Sequence, residues 1–233
     1  MSRRPGAAER VHAVLVLLVL IDQVAECKGS DHRQLLQGEA RPRIANGENA
    51  PCGRYPYMVS VRNRANEHKC GGVLVHPEWV MTAAHCIDPS NRLSVGASPV
   101  VVIGACRLDD TEEEDGVELT VPLRTVIHES WTGNVVDGYD IALMKLASPS
   151  KFTAAALPQE ISKDLSSGSL LVALGWGEQE DGKTRSDEPL QQATSVEAVR
   201  NSFCNAATAD GWDGLIQGSM LCAYSFIGEE VCG

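Results

Sequence analysis

The 233-residue sequence predicts an all-β fold, a barrel or sandwich built from many short strands. Three observations carry this. From Ile44 onward, runs of β-branched and aliphatic residues recur at short spacing, with 21 glycines and 11 prolines as punctuation between them. No amphipathic helix of more than about three turns competes with those runs. Hydrophobic residues make up 43% of the chain and charged residues 22%, enough apolar surface for a sizeable core and too little charge for wholesale disorder.

The first elements lie outside that fold. Arg3, Arg4 and Arg10 form a basic stretch ahead of the apolar run Ala13 to Ile21 (AVLVLLVLI), whose nine residues are too few to span a bilayer as a helix. Residues 1–26 therefore read as a signal peptide cut between Val24 and Cys27, with no stable membrane span after its removal. An uncleaved amphiphilic anchor is the competing reading. Residues 27–43 show no sustained helical or strand period and place a proline beside Arg43, as expected of an exposed, cleavable pro-segment.

The strands then follow in order: Tyr57 to Arg62 (YMVSVR), Val73 to Val75, Trp79 to Thr82, Val100 to Ile103, Leu119 to Ile127, Ile141 to Leu146, Leu170 to Leu174, Thr194 to Val199 and Met220 to Tyr224. Two segments interrupt them. Asp109 to Glu118 (DDTEEEDGVE) holds seven carboxylates and no cation, and Gly177 to Pro189 is polar, mixed in sign and rich in turn formers. Both read as surface loops.

Charge and cysteine content narrow the function. A net charge of −11 offers no basic face for tracking phosphates, so nucleic acid is not an expected partner. Residues 1–43 carry seven cations and five anions, which leaves −13 on the remainder, a field suited to steering cationic peptides. Eight cysteines without a single C-x-x-C pair point to disulfides and an oxidising, extracellular location.

Four separated pieces could carry chemistry. Arg43 abuts Ile44-Ala45-Asn46-Gly47, a basic residue before a new apolar N-terminus. Cys70-Gly71-Gly72-Val73-Leu74 leads through Trp79-Val80-Met81 to Thr82-Ala83-Ala84-His85-Cys86. Asp140 opens the run Ile141-Ala142-Leu143-Met144-Lys145-Leu146, and Gly175-Trp176-Gly177 closes an aliphatic strand. His85 sits where a buried strand ends; were Cys86 bonded to Cys70, its loop would be pinned, and an imidazole held firmly suits proton transfer. Asp140, at the mouth of an apolar run, needs a hydrogen-bond partner, and an imidazole N–H whose tautomer it would fix is an economical one.

In this order the four pieces resemble the trypsin-like, chymotrypsin-fold serine proteases, with TAAHC and DIALMKL the most specific strings, over residues 44–233. The resemblance implies two Greek-key β-barrels with the cleft between them, the second barrel incomplete at its C-terminus. It also implies His85 as general base, Asp140 as its orienting acid, and Arg43-Ile44 as the bond an activating protease cuts. Disulfides Cys70–Cys86, sixteen residues apart, and Cys204–Cys222 follow from the same likeness. A Cys52–Cys106 pair is expected in the first barrel, although sequence leaves connectivity open, and Cys27 and Cys232 remain without partners. Glu230, two residues before Cys232, resembles the position at the base of the primary pocket, implying a polypeptide substrate cut after basic residues.

One departure matters most. The family's nucleophile lies in C-x-G-D-S-G-G, and this chain reaches Cys232-Gly233 without that serine. The expectation is a secreted, zymogen-activated serine endopeptidase whose serine is missing from this chain, which by itself would not hydrolyse peptides. The alternative is a non-catalytic homologue acting by binding, and a weaker third is a binding domain that uses the acidic loop. No cofactor and no metal are expected: Asp109 to Glu118 lacks the EF-hand pattern, Ala105 stands where related calcium loops begin with Glu, and His76 and His128 lack metal-type spacing.

Overall fold

The computed structural model describes residues 44–45, 47–158, 167–177, 186–206, 214–225 and 230–231. Two antiparallel sheets dominate them. The first holds seven strands: β3 (Met58–Arg62), β4 (His68–His76), β5 (Trp79–Thr82), β6 (Val100–Ile103), β7 (Glu118–Thr120), β8 (Arg124–Ile127) and β9 (Ala142–Lys145). Their order is β7-β6-β3-β4-β5-β9-β8. The edge strands β7 and β8 are consecutive in the chain, joined only by residues 121–123, a link that spans at most roughly 14 Å. The two edges are thereby held near one another although they do not pair, as in a sheet curled toward a barrel.

The second sheet is built around β11 (Gln191–Val199), with β10 (Leu170–Gly175) along one edge. The other edge is shared by β2 (Glu48–Asn49) and β12 (Cys222–Ser225). A separate two-strand pair joins β1 (Ile44–Ala45) to β13 (Glu230–Val231), in register Ile44 to Val231 and Ala45 to Glu230. Two short helices, α1 (Ala84–Ile87) and α2 (Asn201–Ala206), and a single 3-10 turn at Val135–Asp137 complete the described elements. The all-β expectation holds, and the two sheets agree with a trypsin-like double barrel.

Period-two alternation sorts the core. Val59 and Val61 on β3, Leu74 on β4, Val80 on β5, Val101 and Ile103 on β6, and Met144 on β9 fill the barrel interior. Their neighbours Met58, Val73 and Val102 point the other way and meet Leu174 of β10 together with Trp176 and Leu190, which flank the strands of the second sheet. Runs such as MVSV and VVVI are apolar on both faces because both faces are buried. The second sheet has its own small core of Leu171, Ala173, Ala193, Val196 and Ala198.

The strands differ from expectation in instructive ways. Leu119 to Ile127 is two strands rather than one, because Pro122 has no N–H to donate and the chain turns there from one edge of the sheet to the other. The strand expected at Val73 to Val75 extends back to His68, through two glycines that disfavour strands. Gly72 belongs there by close approach: a Cβ would lie 3.2 Å from the Met81 carbonyl oxygen, Val61 Cγ2 and Val80 Cγ1. Thr194 to Val199 likewise lengthens to Gln191–Val199, where Gln191 and Gln192 pair with β2. The Asp109 to Glu118 loop is exposed for most of its length, and the interior of the Gly177 to Pro189 segment lies outside the described residues.

Candidate active site

His85 is positioned by the end of β5 and the single turn of α1. Thr82, fully buried, donates its hydroxyl to the Gly71 carbonyl at 2.8 Å, tying the end of β5 to β4. Ala83 and Ala84 are buried and carry little side chain, so the turn lies close against the barrel. Asp88 N–H closes the turn on the Ala84 carbonyl at 2.8 Å, and the Cys70–Cys86 disulfide fastens it to β4. The Asp88 carboxylate then accepts from the Ser90 N–H and hydroxyl and from Trp131 Nε1 at 2.9 Å. These hydrogen bonds, that of Ser90 first and that of Trp131 next, hold the Asp88 carboxyl below its usual range.

Asp140 arrives from the opposite direction, on the segment entering β9. Its carboxylate grips His85 at two points: Oδ1 accepts the His85 backbone N–H at 2.8 Å and Oδ2 faces Nδ1 at 2.6 Å. An ionised carboxylate is acceptor only, so Nδ1 carries the proton and Nε2 keeps its lone pair. The short distance is that of a charge-assisted bond. The His85 side chain is 6% exposed and that of Asp140 22%, so the contact is largely withdrawn from water. A rigid imidazole with a free Nε2 and a carboxylate behind it can take up a proton and be stabilised while it holds one.

The other sequence-predicted residues fall at known places. Ile44 pairs by backbone with Val231, and Glu230 pairs by backbone with Ala45. The side chains of Ile44 and Glu230, together with Arg43, Cys27 and Cys232, lie outside the described residues. Cys204–Cys222 joins α2 to β12, and Cys52–Cys106 clips the segment after β2 to that after β6. Among the described residues no cysteine is free. His76 Nδ1 accepts from Glu78 N–H in the β4–β5 turn, and His128 lies just beyond β8.

The donor groups that a metal could use are few and already engaged. Among the described residues, the one group with ligand atoms within 4.8 Å of each other is Cys70, His85 and Cys86, whose sulfurs are bonded to one another rather than available as thiolates. In the acidic loop, Asp110, Glu112, Asp115 and Glu118 each accept from a backbone N–H. Such bonds give each carboxylate a partner within the protein.

Sequence reasoning missed the supports of the pair. Trp131 and Asp88 join the two loops, and Tyr139 and His128 stack with ring centroids 5.0 Å apart. The signal for the first was faint, an aromatic residue in the turn after a strand; for the second there was none beyond proximity to Asp140.

Comparison with known proteins follows the same outline. Residues 44–232 match the sequence family described as Trypsin. Chymotrypsin-like elastase family member 1 of Homo sapiens is 31% identical over 198 residues, covering 79% of this chain and 70% of that protein. Its counterpart from Macaca fascicularis is 31% identical over 194 residues, covering 79% and 68%.

Proposed function

Since the chain belongs to the trypsin family of serine proteases, we propose that it is a secreted serine endopeptidase, activated by cleavage at Arg43-Ile44, with His85 as general base and Asp140 as its orienting carboxylate. The observation that carries the proposal is the two-point grip of Asp140 on His85, at 2.8 and 2.6 Å. In this reading a serine hydroxyl attacks the substrate carbonyl. His85 Nε2 takes the hydroxyl proton and returns it to the leaving amine, while Asp140 stabilises the imidazolium between the two transfers. The mechanism calls on no cofactor.

Secretion is supported by the basic and apolar N-terminal pattern and by the three disulfides among the described residues. Activation is supported by the β1–β13 pairing, which links the residues just after Arg43 to the segment holding Glu230. The substrate class is polypeptide. Preference for lysine or arginine rests on the Glu230 position, and peptides differing only in lysine, arginine or alanine before the cut test it: faster cleavage of the alanine peptide removes that preference.

The test of the activity is covalent labelling of the native secreted protein by an organophosphonate after activation. A labelled serine is expected, with labelling lost in His85→Ala and turnover lowered about 10⁴-fold in Asp140→Asn, where the wrong tautomer is held. A second reading, a homologue that binds partners without cleaving them, is favoured by the 6% exposure of the His85 side chain, which leaves little of the imidazole open to an incoming group. Complete failure of the activated protein to label establishes that second reading in place of the first.

A further inference from the structure

We propose that the stacked rings of His128 and Tyr139 form a clamp that sets the backbone entering Asp140, making both of them positioning residues for the His85 pair. The inference rests on the reading above, in which Asp140 orients His85. Tyr139 has φ 58°, and the one other non-glycine residue at positive φ among the described residues is Asn66, a type that tolerates this region. For an aromatic residue the conformation is an outlier that the surroundings must hold in place. The preceding Gly138 is also at positive φ, 75°, and a side chain there would collide with Ser219 Oγ. Two successive residues in this region turn the chain sharply immediately before Asp140.

What holds Tyr139 is not burial, since the residue is 44% exposed. Its ring lies on the His128 imidazole at 5.0 Å between centroids and 23° between planes. That imidazole is itself anchored, because its Nδ1 accepts the Ser130 N–H at 3.1 Å and the His128 carbonyl accepts the Trp131 N–H at 3.0 Å. His128 also donates its own N–H to the Ile141 carbonyl at 3.0 Å. It therefore holds both chain neighbours of Asp140, Tyr139 through the ring and Ile141 through the main chain. Between them, Ile141 N–H reaches the Tyr139 carbonyl at 2.8 Å, a tight turn centred on Asp140. The direction of the carboxylate follows from that turn, and the turn from the rings.

The test uses the complete chain uniformly labelled with ¹⁵N. The short bond to Asp140 strongly deshields the His85 Nδ1 proton and slows its exchange, and Asp140→Asn, which shifts the signal, identifies it. Tyr139→Phe, which keeps a stacking ring, is expected to preserve the signal. Tyr139→Gly, which frees φ but has no ring, and His128→Ala, which leaves residue 139 untouched, are expected to broaden it and to speed its exchange by about tenfold or more as the pair opens locally. Core amides such as Val59 and Met144 should stay protected in all of them. Should Tyr139→Gly unfold, His128→Ala is decisive alone. An unchanged signal in His128→Ala and in any folded Tyr139→Gly overturns the clamp, as does its loss in Tyr139→Phe. Absence of the deshielded proton from the unsubstituted protein removes the orienting role of Asp140 itself, and the clamp with it.

Discussion

His68 illustrates how much one imidazole can contribute when its hydrogen bonds are counted. Ser60 Oγ accepts from Arg62 Nε at 3.0 Å, which turns its own proton toward His68 Nδ1, 2.8 Å away. The imidazole is thereby specified as neutral, with its proton on Nε2. Burial, with the charges of Arg62 and Lys69 adding to it, lowers its pKa from 6.5 to about 4. Because the folded-state value is depressed for a base, the unfolded chain binds the extra proton first. Stability is undiminished above roughly pH 6.5, falls as pH drops toward 4, and levels off below that, a total on the order of 3 kcal/mol. Urea unfolding at several pH values should show this component in the wild type and not in His68→Gln. Equal pH dependence in the two proteins contradicts the assignment.

Among elements, α1 has only one turn and no side-chain N-cap, so its own hydrogen bonds cannot hold it as a helix. It persists because four attachments surround it: the Cys70–Cys86 bridge, the Asp140 carboxylate on His85 N–H, the Val95 N–H on the Cys86 carbonyl, and the Trp131 indole on Asp88. Replacing Cys70 and Cys86 together by alanine is expected to cost about 3 kcal/mol, the entropy of a loop of this length. Denaturant midpoints measure it. The loss should be accompanied by faster exchange of the His85 Nδ1 proton, because the turn carrying the imidazole is released from β4.

At the scale of the molecule, the two sheets are joined by the cluster around Met58, Val73, Val102, Leu174 and Trp176. Trp176 is central to it. The indole meets the edge of His68 at 5.8 Å, donates Nε1 to the Cys106 carbonyl at 3.0 Å, and is 5% exposed. Trp176→Ala should destabilise the protein by about 3–5 kcal/mol through the cavity it leaves, and Trp176→Phe by about 1 kcal/mol, mainly through the lost hydrogen bond. The Cys106 carbonyl still receives the Leu190 N–H, which keeps the second cost small. A single cooperative thermal transition that moves with Trp176 identifies the sheets as one folding unit; separate transitions, with the second insensitive to Trp176, contradict that.

Strand character and the chemistry available at His85 and Asp140 were legible in the sequence, because each depends on side chains and their local spacing. Pro122 could have announced the break between β7 and β8 for the same reason. Which of Met58 and Val59 faces the barrel interior was not legible, since both are apolar and both are buried. The β1–β13 pairing was not legible, since it uses backbone N–H and C=O groups that every residue but proline shares; nor was β2–β11, whose Gln191–Asn49 and Gln192–Glu48 side-chain bonds join residues more than 140 positions apart. Nor was the stack of His128 on Tyr139, or the indole that ties Trp131 to Asp88, since these contacts exist only after distant segments have been brought to the same end of the barrel. Residue identity determined which groups were available. Tertiary structure alone decided which of them met, because long-range pairing is selected by the curling of the sheet and the burial that accompanies it.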